Sequence, residues 1–423
     1  MMSDLAQKIH FVGIGGAGMA PLAEIMLSRG AAVSGSDREL NAKTALLAAR
    51  GAAVREGHSA GFLPPDAGLL VYSSAVTPEN PERMRATEFG IPQIRRGEFL
   101  ARLAAQYRRP VAISGSHGKT SISAMLAHIL VHAGRRPGFL IGAAVKGAPS
   151  ASAGEGDDLF VTEVDESDGT HTLVHPYLGV VPNVEDDHSW SVGGEAQLFA
   201  NFRRFASQCK HLVYYAGLHT DELFASHPDA LRLEYPLPGS FGRRWIGYQA
   251  WNAHLAIRAA VLLGVDAAEA EKALESFGGV ARRMATRFQS ERVTVIEDYA
   301  HHPTELASSI GTLRAGYPGH HLRVVFQPHR YARLRKYLPQ LAAELAKADS
   351  AIVVPVFAAW CESGPVGGAE LAAAAGAGAR YLDAEWKAIA EAALDYRGTR
   401  PLLLAVIGAG DIEHIFEYLP GGE

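Results

Sequence analysis

Twice in this chain a short apolar strand breaks into glycines and restarts as a helix. The first case is "KIHFVGIGGAGMAPLAEIM" from Lys8, the second "VAISGSHGKTSISAML" from Val111. Such a unit belongs to a parallel α/β sheet, where the turn lies at the carboxyl end of a strand and the following helix N-terminus can receive an anion. The alternation continues through "AAVSGSD" and "GLLVYSSAV", then "DLFVTEVDESD" and "LGVVPNVEDDH". A third segment starts near "RVTVIEDYAHHP" and runs through "HLRVVFQPHRY", "SAIVVPVF" and "PLLLAVIGAGDI". The expectation is an α/β protein throughout. At 423 residues the chain has room for two or three domains. A polar helical stretch, "RRGEFLARLAAQYRRP", is expected to end at Pro110, near the first boundary. "GGAELAAAAGAGARY" reads as a helix and a turn.

Bulk properties exclude several classes. The formal net charge of −5 argues against a general nucleic-acid binder, which would carry a basic face. Two distant cysteines, Cys209 and Cys361, give no disulfide framework and no cysteine metal site, so both read as inert thiols. No apolar run reaches 18 residues, so no membrane partner is expected and the cytoplasm is the default location.

Gly13, Gly15 and Gly18 fit G-x-G-x-x-G, and Asp37 follows at the end of the next strand. This spacing suits a dinucleotide, with the acidic residue on a ribose. The physics is broader, because backbone amides and a helix N-terminus accept any nucleotide diphosphate. The loop alone leaves NAD and a UDP-sugar both open.

The second loop departs from the usual phosphate-loop spacing. Ile113 stands where the first glycine should be, and the nearest upstream glycine is Gly115. Lys119 and Thr120 nevertheless supply what the chemistry needs: a cation for the β/γ-phosphates and a hydroxyl for Mg²⁺. Two acidic strand ends follow. One holds Glu163, Asp165, Glu166 and Asp168; the other holds Glu185, Asp186, Asp187 and His188. Acidic clusters are often only solvated, but these share a segment with the loop, and oxygen ligands suit Mg²⁺.

The motifs "HFVGIGGAGM", "SGSD", "SSAVTPENPE", "GIPQIRRGEFLA", "GSHGKTS", "EVDESD", "NVEDDH", "EDYAHHPTE", "FQPHRY" and "GAGDI", in this order, resemble the Mur ligases over roughly residues 8 to 415. The pattern is most similar to the alanine-adding branch. The resemblance implies three domains: a Rossmann-like domain at 1–105, a P-loop domain at 106–290, and a second Rossmann-like domain at 291–423. They would bind UDP-N-acetylmuramate, ATP and L-alanine respectively, as a monomer or homodimer. The implied reaction phosphorylates the muramate carboxylate with ATP and gives the acyl phosphate to the amine of alanine.

Residue roles follow from the same resemblance. Gly15, Gly16, Ala17, Gly18, Met19, Asp37 and Ser74 would hold the sugar nucleotide. Gly115, Ser116, His117, Gly118, Lys119, Thr120 and Ser121 would hold the ATP phosphates, with Ser116 where threonine is usual. Asn252 would lie near adenine, Asp298 and His301 near the ribose, and Arg283 at the phosphates. Thr120, Glu163 and His188 would bind Mg²⁺. Lys119, Glu163, His188 and Arg283 would be catalytic. His329, Arg330 and Arg333 would surround the alanine, whose carboxylate an arginine fork suits. Read without the resemblance, that basic run is a solvated helix start. "SWSVGG", "GYQAWN" and "RRM" depart from the family pattern, with Tyr248 and Gln249 replacing a histidine and an asparagine. A ligase for another amino acid or murein peptide, or a weakly active UDP-sugar-binding paralogue, are the alternatives.

Overall fold

The computed structural model describes residues 7–187, 189–236, 247–359 and 363–421; His188 and Cys361 lie outside them. The chain forms two compact units, Met1–Tyr235 with Asn252–Gly278, and Pro236–Trp251 with Gly279–Glu423.

In the first unit, β1 (Lys8–Val12), β2 (Ala32–Asp37), β3 (Ala53–Glu56), β4 (Leu69–Tyr72) and β5 (Gln93–Arg95) pair in the order β3-β2-β1-β4-β5. All pairs are parallel. Helices α1 (Ala20–Ser28), α2 (Ala42–Ala49), α3 (Pro81–Glu88) and α4 (Arg96–Ala104) connect or follow them. Val12 is in register with Ser36 and with Tyr72, so Gly13, Asp37 and Ser73 emerge together at one sheet edge. Beneath that edge Glu82 is fully buried. Its carboxylate accepts from Ser36 Oγ at 2.8 Å and lies 2.6 Å from His10 Nε2 and 3.0 Å from His58 Nδ1. A buried carboxylate persists only with such partners.

A second sheet in the same unit contains β6 (Arg109–Ile113), β7 (Gly138–Leu140), β8 (Ala151–Ser152), β9 (Leu159–Glu163), β10 (Leu178–Val181), β11 (His211–Tyr215) and β12 (Ala230–Leu233). The order is β12-β11-β10-β6-β9-β7-β8, antiparallel only between β7 and β8. Helix α4 stops at Ala104, earlier than the sequence reading, and Pro110 is instead the second residue of β6. Proline is tolerated there because it serves as an acceptor, taking a 2.8 Å bond from Tyr177 N. Ile113 pairs with Glu163 on one side and Val180 on the other. Three strands therefore end together around the second glycine loop, and α5 (Lys119–His132) leaves from it.

The second unit carries β13 (Ala285–Gln289), β14 (Val293–Asp298), β15 (His321–Gln327), β16 (Ser350–Val353), β17 (Ala379–Tyr381) and β18 (Leu402–Gly408), in the order β13-β14-β18-β15-β16-β17. Only β13 is antiparallel to its neighbour. All seven residues of β18 are buried, as a strand covered on both faces requires. The "GGAELAAAAGAGARY" stretch gives the expected helix, Gly368–Ala375, and a turn closed by Ala379 N donating to Gly376 O, after which strand β17 begins. Asp298 is in register with Ile407 and Gln327 with Gly408. "EDYAHHP", "FQPHRY" and "GAGDI" thus share one sheet edge.

Candidate active site

The second glycine loop is held rigidly. Gly115 and Gly118 have φ of 122° and 89°, values that favour glycine. A side chain at Gly115 would press on Asn183 O, and one at Gly118 on Asn252 Oδ1. Asn252, distant in sequence, is therefore brought against the loop. His117 N donates to Asn183 Oδ1 at 2.8 Å, and Asn183 Nδ2 donates back to His117 O at 3.2 Å. Ser116 N donates to Asn183 O, and Ser116 Oγ accepts from Glu185 N at 2.8 Å. The hydroxyl at position 116 thus anchors the loop to the β10 strand end. Ser121 is buried in the first turn of α5.

Charge converges on the same place. Lys119 Nζ donates to Glu166 Oε2 at 2.8 Å and to Gly115 O at 2.6 Å. The side chains of Lys119 and Glu166 are 16% and 1% exposed. Burial opposes the charge of Lys119, yet Glu166, Asp165 and Glu163 outweigh it and hold the ammonium above its ordinary pKa. Burial raises Glu166 to about 7, with Lys119 restraining the rise. Thr120 Oγ1 donates to Glu163 Oε2 at 2.7 Å. Gly142 leaves room for that carboxylate: a Cβ there would overlap Glu163 Oε1. Two oxygen donors in contact, beside a cradle that a methyl would fill, fit Mg²⁺. His188, expected to join them, lies outside the described residues.

The first loop is built differently from a dinucleotide site. Gly15 N donates to Asp37 Oδ2 at 2.7 Å, so this carboxylate organises the loop itself. Asn41 caps α2 and also reaches Gly15 O at 3.4 Å. Gly16 and Ala17 are exposed at the loop tip, and Ser74 is exposed beyond β4. Met19 is buried and offers the site backbone only.

In the second unit, Asp298 is buried and accepts from Tyr299 N at 2.8 Å, from Tyr248 Oη at 3.2 Å, and from Ser309 Oγ. Tyr248 thus has a specific partner despite departing from the family pattern. Arg283 lies over the Tyr299 ring, 4.9 Å from its centroid, and 3.8 Å from Glu305 Oε1. Its neighbours Arg282 and Met284 have φ of 59° and 51°, a strained pair of the kind found at functional sites. Arg282 itself is structural, donating to Gly408 O and Gly410 O. His301 and His329 come together, their rings 5.3 Å apart. Arg333 is 8% exposed and 3.0 Å from His329 Nδ1, which corrects the reading of a solvated helix start. Arg330 has φ of 67°. The run packs into its unit because Arg333 turns back along the helix onto His329.

Several residues at these sites were missed in the sequence. Asn183 and Gly142 act through tertiary contacts that no spacing reveals. Glu305 accepts from His301 N at 3.0 Å and His302 N at 3.3 Å. Its signal was available: proline at the first helical position and glutamate two later mark a capping box in "HHPTE".

Comparison with known proteins agrees with this geometry. Residues 8–108 match the Mur ligase family, catalytic domain, and residues 282–410 the Mur ligase, glutamate ligase domain. A UDP-N-acetylmuramate–L-alanine ligase of Bifidobacterium longum is 37% identical over 83% of this chain and 79% of its own. One from Streptomyces griseus is 32% identical over 98% of both chains. The crystal structure of the UDP-N-acetylmuramate–alanine ligase of Thermotoga maritima superposes with a TM-score of 0.80 at 26% identity, covering 96% of this chain and 97% of that one. The ordered motifs, the two strand-end loops and these relatives together establish that the chain belongs to the Mur ligase family.

Proposed function

We propose that this protein joins L-alanine to the carboxylate of UDP-N-acetylmuramate, using ATP and an acyl-phosphate intermediate, in peptidoglycan precursor synthesis. The observation that carries the reading is the second loop. Lys119 pairs with Glu166 and Thr120 with Glu163 where three strands end together. Such a site neutralises and orients a phosphoryl group rather than attacking it. We assign ATP to 106–290, the sugar nucleotide to 1–105 and the amino acid to 291–423, and we read the chain as a cytoplasmic enzyme.

Lys119 Nζ takes up charge on the transferring phosphoryl group, exchanging its bond to Gly115 O for a phosphate oxygen. Glu166 stays behind it and keeps the ammonium aimed and charged. Asn183 and Ser116 keep the loop amides fixed while charge moves. Thr120 and Glu163 would hold Mg²⁺, which when bound neutralises phosphate oxygens. We assign Arg283, held by Glu305 and the Tyr299 ring, to the phosphates. We assign Asp298 and His301 to the ribose. Arg330 and Arg333 receive the alanine carboxylate, and His329 stands beside them.

Phosphate release from ATP, measured with UDP-N-acetylmuramate and each amino acid or murein peptide in turn, tests the reading. Turnover should require the sugar nucleotide and be best with L-alanine. A preference for another amino acid or a peptide would displace the alanine assignment, and no turnover with any acceptor would remove the ligase reading.

A further inference from the structure

The stretch "GYQAWN" departs from the family pattern, and the proposed reaction leaves its tyrosine without a role. We propose that Tyr248 is a positioning residue for Arg283, acting through the buried carboxylate of Asp298. This rests on the reading that Arg283 serves the ATP phosphates.

Asp298 is only 2% exposed, and several donors converge on it. Tyr299 N donates to Oδ1 at 2.8 Å, and Met284 N donates to the same oxygen at 3.4 Å. Ser309 Oγ donates to Oδ2. Tyr248 Oη lies 3.2 Å from Oδ2 and 3.5 Å from Oδ1, so its proton spans both oxygens and opposes rotation of the carboxylate. Burial raises the pKa of Asp298, while Ser309 and Arg283 restrain the rise. At this depth water does not replace a lost donor.

The placing of Arg283 depends on that carboxylate. Arg282 and Met284, on either side of it, have φ of 59° and 51°. Such a turn keeps its shape only where its surroundings hold it. Arg282 is tied to Gly408 O and Gly410 O, and Met284 N is tied to Asp298. The Tyr299 ring, 4.9 Å from the Arg283 guanidinium, follows a backbone N–H bound to the same Oδ1. One oxygen therefore anchors both the turn that carries the guanidinium and the ring against it. The charge of Arg283 acts on Asp298 and on Tyr248 alike, so the three groups share one electrostatic neighbourhood.

The fold also seats the tyrosine. It is the first residue of the helix Tyr248–Leu262. Gly247 before it has φ of 57°, and a Cβ there would overlap Thr312 Oγ1. Thr312 and Ser309 lie one turn apart on the helix Pro303–Gly316. That helix meets the backbone before Tyr248 with Thr312, and the carboxylate facing its hydroxyl with Ser309. Burial, reinforced by the charge of Asp298, holds the phenol well above its ordinary pKa. Its proton therefore stays available for donation.

Calorimetric titration of the full-length protein with ATP tests the proposal, in wild type, Tyr248→Phe, Arg283→Ala and the double variant. Tyr248→Phe keeps the ring and loses only the donor. It should weaken ATP binding about tenfold, the scale of one hydrogen bond to a buried charge. On the Arg283→Ala background the same change should cost about twofold or less, because the group it positions is gone. Steady-state KM values for UDP-N-acetylmuramate and L-alanine should stay within about twofold in Tyr248→Phe, while kcat falls. Tyr248→Phe binding ATP as tightly as wild type would overturn the proposal. An undiminished loss on the Arg283→Ala background would overturn it too, since the tyrosine would then act on the ribose or on the fold. Arg283→Ala binding ATP as tightly as wild type would instead overturn the assignment of Arg283 to the phosphates.

Discussion

Thr120 Oγ1 lies 2.7 Å from Glu163 Oε2, although 43 residues separate them. The contact exists because Ile113 and Glu163 are paired neighbours on β6 and β9, and Thr120 lies in the first turn of the helix that leaves the β6 end. Glu163→Gln keeps the shape and the hydrogen bond but removes a charge that Mg²⁺ needs. Turnover should fall by about 100-fold or more, several kcal/mol of lost stabilisation. The apparent Mg²⁺ requirement should rise, while UDP-sugar affinity stays unchanged. A magnesium titration of phosphate release checks this; an unaltered Mg²⁺ requirement would remove Glu163 from the metal.

Gly142 provides a stricter geometric check on the same carboxylate. A methyl group there would overlap Glu163 Oε1 and push the carboxylate from Thr120. Gly142→Ala should lower kcat on the order of 100-fold with a folded chain, as an ångström-scale misplacement does. Wild-type kcat in this variant would mean that the position of Glu163 is not critical.

Asn183 grips both backbone polar groups of His117. Asn183→Ala leaves a loop amide without its acceptor, a loss of about 1–3 kcal/mol that should appear as a KM for ATP raised about tenfold. The KM for the sugar nucleotide should not move. Equal changes in both would point to general loosening of the unit.

Two buried groups give opposite dependences of stability on pH. Burial holds Glu166 at about 7 against an ordinary 4.5. Between these values the folded state keeps a proton that the unfolded chain has lost, so this contribution to stability falls as pH rises. Burial lowers His171 to about 4 from 6.5, despite the opposing effects of Asp165. There the unfolded chain takes a proton that the folded state refuses, so stability falls as pH drops. Each contribution is on the order of 3 kcal/mol at most across its window. Melting temperatures between pH 4.5 and 6.5 should therefore climb more steeply with pH in Glu166→Gln than in wild type, and less steeply in His171→Leu. Parallel curves for all three proteins would contradict both assignments.

The order of strands and loops was legible because a strand running into glycine has few alternatives, and Lys119, Thr120, Glu163 and Asn252 were named from motifs before any contact was visible. What escaped was whatever depends on packing between distant segments. Asn183 lies inside a quoted motif, but its role is defined by the loop it clamps. Gly142 is informative only once Glu163 is seen to fill the space beside it. Asp37 fits a spacing rule for ribose recognition, and its bond to Gly15 N appears only when β1 and β2 are laid in register. Pro110 looked like a helix stop because proline ends helices, but a strand position that needs only its carbonyl accepts it equally well. The basic run at 329–333 looked solvated since charge usually is, whereas Arg333 folds back onto His329.

The central claim is that the two glycine loops divide the nucleotides, ATP at Lys119 and the UDP-sugar at Gly15–Gly18. Binding of UDP-N-acetylmuramate and ATP-dependent phosphate release, both measured on Lys119→Ala, test it most directly. The account predicts sugar-nucleotide affinity close to wild type with phosphate release abolished. A folded Lys119→Ala protein that has lost UDP-N-acetylmuramate binding, or that still turns over ATP at the wild-type rate, would contradict it.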